Sequence, residues 1–197
     1  RAVDLIGGVL GGLLISPVLL ALAVWVRLDS PGSSFYWSTR IGQKGKPFKC
    51  LKFRSMYMDA DERLKQMLQN DPRVRDEYER WHKLEHDPRV TRAGAFIRRY
   101  SLDELTQLFN VIRGEMSLVG PRPYLVQELP DMRGLQETIL EAKPGMTGYW
   151  QVTGRSDVTF SERLEMESQY VRNWSLWWDI ILLFKTVSVV LARRGAR

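Results

Sequence analysis

The stretch LIGGVLGGLLISPVLLALAVWV, residues 5–26, holds no charged side chain, and its reading decides where the rest of the chain must sit. A run of that length reaches across the hydrocarbon core of a bilayer as one straight helix. Ser16-Pro17 interrupts it near the middle, and a proline removes a backbone donor and bends the helix that holds it. Gly7, Gly8, Gly11 and Gly12 crowd the first half. Two readings stay open. One is a spanning helix with a proline kink. The other is a pair of shorter apolar arms that meet at a Ser16-Pro17 break, enter one leaflet and leave by the same face. Arg1 before the run, and Arg27, Arg40, Lys44 and Lys46 after it, favour a cytoplasmic position for both ends. No small-residue cleavage site precedes the charged stretch, which argues against a cleaved signal peptide.

Outward from this run the chain reads as one folded unit. Its 197 residues suffice for a moderate core, and 44% apolar with 26% charged residues excludes disorder as the main state. It begins at Arg1 without an initiator Met, so a piece of a longer protein is expected. The net charge of +6 suits nucleic acid, an anionic leaflet or a phosphorylated substrate. The charge is spread along the chain, and an apolar entry segment has no use in a nucleic-acid binder, so no nucleic-acid partner is expected. The single Cys50 cannot form an internal disulfide, which fits a reducing compartment. His82 and His86 stand four apart, a helical metal-pair spacing, but no further Cys or His supports zinc.

After the turn signal Asp29-Ser30-Pro31-Gly32, the segments 35–41 and 48–53 predict a small β-hairpin. Helices are predicted over 59–70 and from Asp71-Pro72 to the break at Asp87-Pro88. Leu102, Leu105, Leu108, Phe109 and Ile112 keep helical period up to Gly114. Residues 120–123 and 143–148 read as loops, 149–152 as a short strand and 161–173 as a helix. The tail, 174–192, carries Trp174, Trp177 and Trp178 and predicts an interfacial amphipathic helix lying on or against a membrane, with a packed core helix as the alternative.

The chemistry concentrates in Arg98-Arg99-Tyr100-Ser101-Leu102-Asp103-Glu104-Leu105. Ser101 is a natural N-cap and Glu104, three residues on, completes a capping box. Asp103 then falls in the first turn, where the helix dipole favours an ionised carboxylate able to attack phosphorus or ligate a divalent cation. Arg98 and Arg99 stand ready for phosphate. Asp and Glu are equally common in first turns for capping alone, so that reading remains beside the catalytic one. Arg122 between Pro121 and Pro123 is a stiffly held guanidinium, suited to a diphosphate. Lys52 and Arg54 would share one face of a strand and clamp phosphates, or be merely solvated. Gly154-Arg155-Ser156-Asp157 reads as a ligand loop or a bare turn. No Walker-type loop, GxGxxG fingerprint or Ser-His-Asp set is present, so Arg, Lys and a metal would have to handle phosphate.

Lys52-Phe53-Arg54-Ser55-Met56, Ser101-Leu102-Asp103-Glu104-Leu105, the run from Asn110 to Pro123 ending Val119-Gly120-Pro121-Arg122-Pro123, Lys143-Pro144-Gly145-Met146-Thr147-Gly148 and Gln151-Val152-Thr153-Gly154-Arg155 resemble, in this order, the bacterial sugar transferase family, the monotopic phosphoglycosyl transferases of glycan assembly. The resemblance covers essentially the whole chain. It implies a mostly helical α+β monotopic membrane protein: a re-entrant helix over 1–28 broken at Ser16 and Pro17, a catalytic unit over 29–197 with interfacial amphipathic helices and a β-hairpin, and further N-terminal membrane helices in the full protein. It also implies Asp103 as the nucleophile that becomes a phospho-sugar aspartate and touches Mg²⁺, Glu104 as the second acid of the dyad, and Arg122 near the phosphates. Lys52, Arg54, Arg99 and Arg155 join as phosphate candidates on charge and motif membership. Thr106 departs from the family, which usually has proline there, and the departure should leave the chemistry intact.

The expected reaction follows from that resemblance. A sugar-1-phosphate, galactose first and glucose or an N-acetylated sugar as alternatives, passes from a UDP-sugar to polyprenyl (undecaprenyl) phosphate. The expected place is the cytoplasmic face of the bacterial inner membrane, as the first membrane step of O-antigen, capsule or exopolysaccharide assembly. Homo-oligomerisation stays open. The competing classes are a membrane phosphatase that uses the same Asp with water as acceptor, and a non-enzymatic basic adaptor for anionic lipid.

Overall fold

The computed structural model describes residues 1–81, 84, 86–154 and 158–191. The charge-free run forms α1, Ala2–Asp29. It is long and apolar enough to cross a membrane by length and composition. α1 stays helical through Ser16 and Pro17, so no unwound residue marks the expected break. Pro17 cannot donate to the carbonyl of Leu13, one turn back, and the Ser16 hydroxyl donates to it instead at 2.8 Å. The serine therefore satisfies the acceptor that the proline leaves bare.

Both ends of α1 are fastened to one body. The Arg1 guanidinium donates to the carbonyls of Val111 and Ile112, each at 2.7 Å. Asp4 accepts from the Ser117 hydroxyl at 2.8 Å and the Leu118 N–H at 2.9 Å. Gly7 lets the backbone come close to Leu118, where an added Cβ would stand 2.6 Å from a side-chain methyl. At the far end Leu22 and Val26 join a core with Phe53, Ala93 and Ile97. Between these anchorages the apolar side chains face outward, with Leu14 82% exposed.

The predicted hairpin forms from β1, Phe35–Ile41, and β2, Pro47–Phe53, with Phe35 opposite Phe53 and Ile41 opposite Pro47. Phe35, Tyr36 and Trp37 at its start are exposed. Helix α2, Ala60–Asn70, follows the predicted span; α3, Pro72–Trp81, starts where predicted, but Leu84 and His86 are already outside helix, short of the expected break at Asp87-Pro88. His82 lies outside the described residues, and with it the histidine pair. Thr91 caps α4, Arg92–Arg99, by accepting from Gly94 N–H at 2.9 Å, and Asp29 of α1 accepts from Ala93 N–H at 2.9 Å.

The acidic stretch forms a 3-10 helix, Leu102–Gln107, that runs into α5, Leu108–Arg113, which Gly114 ends at φ 82°. The expected capping box does not form. Ser101 is left-handed, φ 54° and ψ 29°, and its hydroxyl makes no cap bond. A capping serine needs extended backbone, whereas Ser101 reverses the chain right after α4. A capping box of the expected kind does open α8, Phe160–Arg172, between Thr159 and Glu162.

Residues 143–152 exchange their predicted states. Gly145–Thr147 is a strand, β4, parallel to β3, Ser117–Val119, and the predicted strand is instead a short helix, α7, Tyr149–Thr153. Glycine makes this crossing possible: a Cβ on Gly145 would lie 2.1 Å from Gly120 N, and one on Gly148 would lie 2.3 Å from Gly120 O. Two loop motifs far apart in sequence are thus welded backbone to backbone, Gly120 N–H donating to Thr147 O at 2.9 Å and Gly145 N–H to Pro121 O at 2.7 Å. After the 3-10 helix Val126–Met132 and α6, Gln136–Ile139, the fold closes with α9, Leu176–Leu191. Leu182 of α9 buries against Val119 and Tyr170, while Trp177 and Phe184 are 70% and 73% exposed. The tail is therefore both packed and outward-apolar, and lacks the continuous polar face of an amphipathic helix. Its acid, Asp179, is held by the Tyr170 hydroxyl at 2.6 Å and Trp174 Nε1 at 3.0 Å.

Candidate active site

β2 is held against the 3-10 helix and α5 by side chains that bond its backbone. Asn110, fully buried, accepts from Leu51 N–H at 3.0 Å and donates to Lys49 O and Glu115, each at 2.7 Å. The Thr106 hydroxyl reaches Leu51 O at 2.8 Å and Asp103 O at 3.2 Å. The residue that departs from the motif therefore ties the turn of Asp103 to the strand of Lys52. The outcome is a three-residue cluster. Lys52 Nζ lies 3.3 Å from Asp103 Oδ2 and 3.1 Å from Glu104 Oε1. Glu104, expected to cap, faces the lysine instead.

Asp103 and Glu104 differ in exposure, 18% against 41% for their side chains. Burial, with Glu104 beside it, holds the Asp103 carboxyl above its usual range, against the pull of Lys52 and of Arg98. The helix-dipole expectation of an easily ionised Asp103 is thus outweighed by desolvation. Burial also penalises the Lys52 ammonium, but Glu104 and Asp103 together outweigh it and hold Lys52 above its ordinary value.

Lys52 and Glu104 of the cluster, but not Asp103, line a cleft of about 630 Å³ together with Arg40, Arg122, Trp150 and Arg163. Arg122 comes as expected from the rigid Pro121-Arg122-Pro123 loop. Its guanidinium pairs with Glu128 at 3.1 Å, and its backbone N–H donates to Glu167 at 2.8 Å. Glu167 is 1% exposed and also accepts from the Tyr124 hydroxyl. Burial pushes Glu167 up to about 7, against the Tyr124 and Arg122 hydrogen bonds and the nearby charge of Arg163. Arg40 donates to Pro123 O at 3.2 Å and so braces the same loop from β1.

Not every expected cation reaches this place. Arg54 lies one residue past the end of β2, so its side chain does not share the course of Lys52. It is buried and donates to the carbonyls of Pro31 at 2.6 Å and Ser30 at 2.7 Å, and to the Ser30 hydroxyl at 2.9 Å. Arg54 therefore fastens the exit of α1 and does not serve as a phosphate clamp. Arg54→Ala is expected to lower stability by about 2–3 kcal/mol, the order of several lost charge-assisted hydrogen bonds, and to leave nucleotide affinity of the folded protein unchanged. Thermal unfolding beside nucleotide titration checks both parts. Arg98 and Arg99 are both exposed at the end of α4, but Arg98 donates to Ser55 Oγ at 2.8 Å and is the one whose charge bears on Asp103. Arg155 lies outside the described residues, as do Ser156 and Asp157.

Among the described residues no group of three or more His, Cys, Asp or Glu side chains forms a metal cluster. The adjacent carboxylates Asp103 and Glu104 nevertheless suit Mg²⁺, which is commonly held by one or two carboxylates with substrate phosphates and water completing its shell.

A two-carboxylate, lysine-bound dyad beside an arginine-lined cleft meets the sequence comparison at this point, since residues 1–193 match the family described as bacterial sugar transferase. The chain belongs to the bacterial sugar transferase family. It is similar, at 51% identity over its whole length, to a UDP-galactose-lipid carrier transferase of Erwinia amylovora, and at 50% to an undecaprenyl-phosphate galactose phosphotransferase of Salmonella typhimurium. The chain spans 41% of each of these relatives. It is 44% identical, again over its whole length, to the exopolysaccharide production protein ExoY of Rhizobium meliloti, of which it covers 87%. For a bacterial sugar transferase, sequence reasoning missed Arg40, Tyr124, Arg163 and Glu167. Arg40 stands two residues from inward-facing Ser38 on β1, a weak strand-period signal. Tyr124 carries no local signal, and Arg163 and Glu167 offer only the four-residue spacing that puts them on one face of α8.

Proposed function

We propose that this chain is the catalytic unit of a phosphoglycosyl transferase that moves galactose-1-phosphate from UDP-galactose to undecaprenyl phosphate and releases UMP. The observation that carries the reading is the Lys52–Asp103–Glu104 cluster at the cationic cleft. Galactose is favoured over glucose or an N-acetylated sugar by the names of the two half-identical relatives.

Asp103, the more buried acid, attacks the β-phosphorus. The bond from that phosphorus to the bridging oxygen breaks, UMP leaves with the electron pair, and the sugar phosphate rests on Asp103 as an acyl phosphate. Lys52 favours the ionised form of the attacking carboxylate and so opposes its desolvation. Arg122, on a loop fixed by two prolines and by Glu167, offsets charge on the diphosphate. An oxygen of undecaprenyl phosphate then attacks the same phosphorus, the Asp103–phosphorus bond breaks, and the lipid diphosphate sugar forms. Glu104, half-open to solvent, is placed to take the proton of a singly protonated acceptor. Mg²⁺ held by Asp103 and Glu104 would neutralise diphosphate charge.

The membrane reading rests on surfaces. α1 has an outward apolar middle and both ends tied to one body, which supports a re-entrant course over 1–28 entering and leaving a single face of the inner membrane on the cytoplasmic side. Trp177 and Phe184 of α9 add an apolar surface suited to the interface. A soluble nucleotide sugar and a lipid-borne phosphate would then meet without either crossing the bilayer.

Intact-protein mass spectrometry after rapid acid quench tests this, with Mg²⁺ and UDP-galactose and no acceptor. A hexose-phosphate adduct with UMP release is the expected result. Lipid product without adduct would replace the two-step course by direct transfer. Free sugar phosphate as the main product would favour a phosphatase. Neither adduct nor product with any of several UDP-sugars would sink the reading.

A further inference from the structure

Two buried nitrogen donors at the cleft have no acceptor among the described residues: Arg163 Nε and Trp150 Nε1. Both residues line the cleft, one from α8 and one from α7. They are also joined to each other, the Arg163 guanidinium carbon lying 5.1 Å from the Trp150 ring centre, with the Phe160 ring at 4.8 Å and the Tyr124 ring at 5.8 Å. A cation amid aromatic rings is stabilised by their π faces, which fixes where the guanidinium points but supplies no acceptor for its N–H groups. Buried donors left unpaired are uncommon in folded proteins and ask for an unseen ion, water or ligand.

The charge around them says what kind of ligand. The cleft lining brings Arg40, Lys52, Arg122 and Arg163 together with Glu104 as its carboxylate. Arg40 and Arg163 are both pulled below the ordinary arginine value, by burial first and by the charge of Arg122 second. Arg40 and Arg163, both desolvated and both repelled by Arg122, are relieved by an anion with several oxygen acceptors.

We propose that Arg163 and Trp150 bind the diphosphate of the donor nucleotide, with the Arg163 Nε–H and the Trp150 Nε1–H donating to its phosphoryl oxygens. This rests on the transferase reading above, and it assigns to α7 and α8 the grip on the half of the donor that leaves as UMP. Phe160, Tyr124 and the buried Glu167 then act as the frame that holds the Arg163 fork at the cleft.

Isothermal titration with the Asp103→Asn protein, which cannot turn over, decides it. The ligands are UMP, UDP-galactose and a short-chain polyprenyl phosphate. Arg163→Lys keeps the charge and the aromatic contact but loses the Nε donor, and is expected to weaken both nucleotides about tenfold or more. Trp150→Phe keeps a ring beside Arg163 and loses one donor, and is expected to weaken them several-fold with the melting temperature little changed. If Arg163→Lys does not fold, Trp150→Phe decides alone. Unchanged nucleotide affinity in the folded variants would overturn the proposal and leave the transferase reading standing. Loss of polyprenyl phosphate affinity alone would assign these donors to the acceptor and overturn it as well. A parent protein that binds neither nucleotide would overturn both.

Discussion

Asp103→Asn is expected to cut sugar-phosphate transfer by roughly 10⁴-fold or more, the scale at which removal of a covalent nucleophile is felt, yet to unfold at the same or a higher temperature than the wild type at neutral pH. The first half follows from the geometry: Asn is isosteric, leaves the Lys52–Glu104 contact in place and cannot form the acyl phosphate. The second half follows from linkage. Burial holds the Asp103 carboxyl above the ordinary aspartate range even after Lys52 has opposed it. A carboxyl raised in the folded state contributes stability that is complete below its unfolded value and lost as pH rises through the folded one. At neutral pH the ionised Asp103 is therefore a net cost to folding, and the neutral Asn carries none of it. The melting-temperature difference, wild type below variant at pH 7–8, should shrink toward zero as the pH falls past the ordinary carboxylate range. A variant that melts well below the wild type at pH 7.5, or that keeps measurable turnover, would contradict this placing of strain at the reacting group.

The same pair of acids marks how far the sequence could be read. The position of the two acids was legible locally, as adjacent carboxylates at the start of a helical segment, while their role came from the family resemblance; the ties through Thr106 and Asn110 to β2 were not legible. The hairpin and α2 were legible for a similar reason, since aromatic-rich runs joined by turn residues and Asp-Pro punctuation are short-range signals. What failed were inferences needing the third dimension. Lys52 and Arg54 are two residues apart and look equivalent, but β2 ends at Phe53, and the next residue turns to the exit of α1. Ser101-x-x-Glu104 has the letters of a capping box, yet α4 stops so close that Ser101 must be left-handed. The parallel pairing of Ser117 with Gly145 depends on three glycines meeting across a crossover, and no local periodicity announces it.

Glu167→Ala is the second large effect. The carboxylate is the common acceptor for the Tyr124 hydroxyl and the Arg122 N–H, and it lies within reach of the Arg163 charge. Removing it leaves two buried donors unpaired and a desolvated arginine less compensated, a loss of about 3–5 kcal/mol. For a chain of this size that is a fall of roughly 10 °C in melting temperature. The folded fraction should also lose transfer rate by roughly 10- to 100-fold, because Arg122 is aimed by a loop whose backbone this carboxylate holds, and small misplacements of charged groups are costly. Glu167→Gln separates the anchor from the charge. Its amide still offers one acceptor, so Tyr124 or Arg122 is served and the other is not. The pH dependence has a definite sign. Burial lifts Glu167 from 4.5 to about 7, so its contribution to stability is complete below about 4.5 and is lost as pH rises through 7. Wild type should therefore exceed Glu167→Gln in stability most at pH 5, with the gap narrowing by up to about 3 kcal/mol by pH 8. Melting curves of the two proteins across that interval read the difference directly. A gap that widens with pH would mean that the ionised carboxylate is the form the fold prefers, and that Tyr124, Arg122 and Arg163 outweigh its burial.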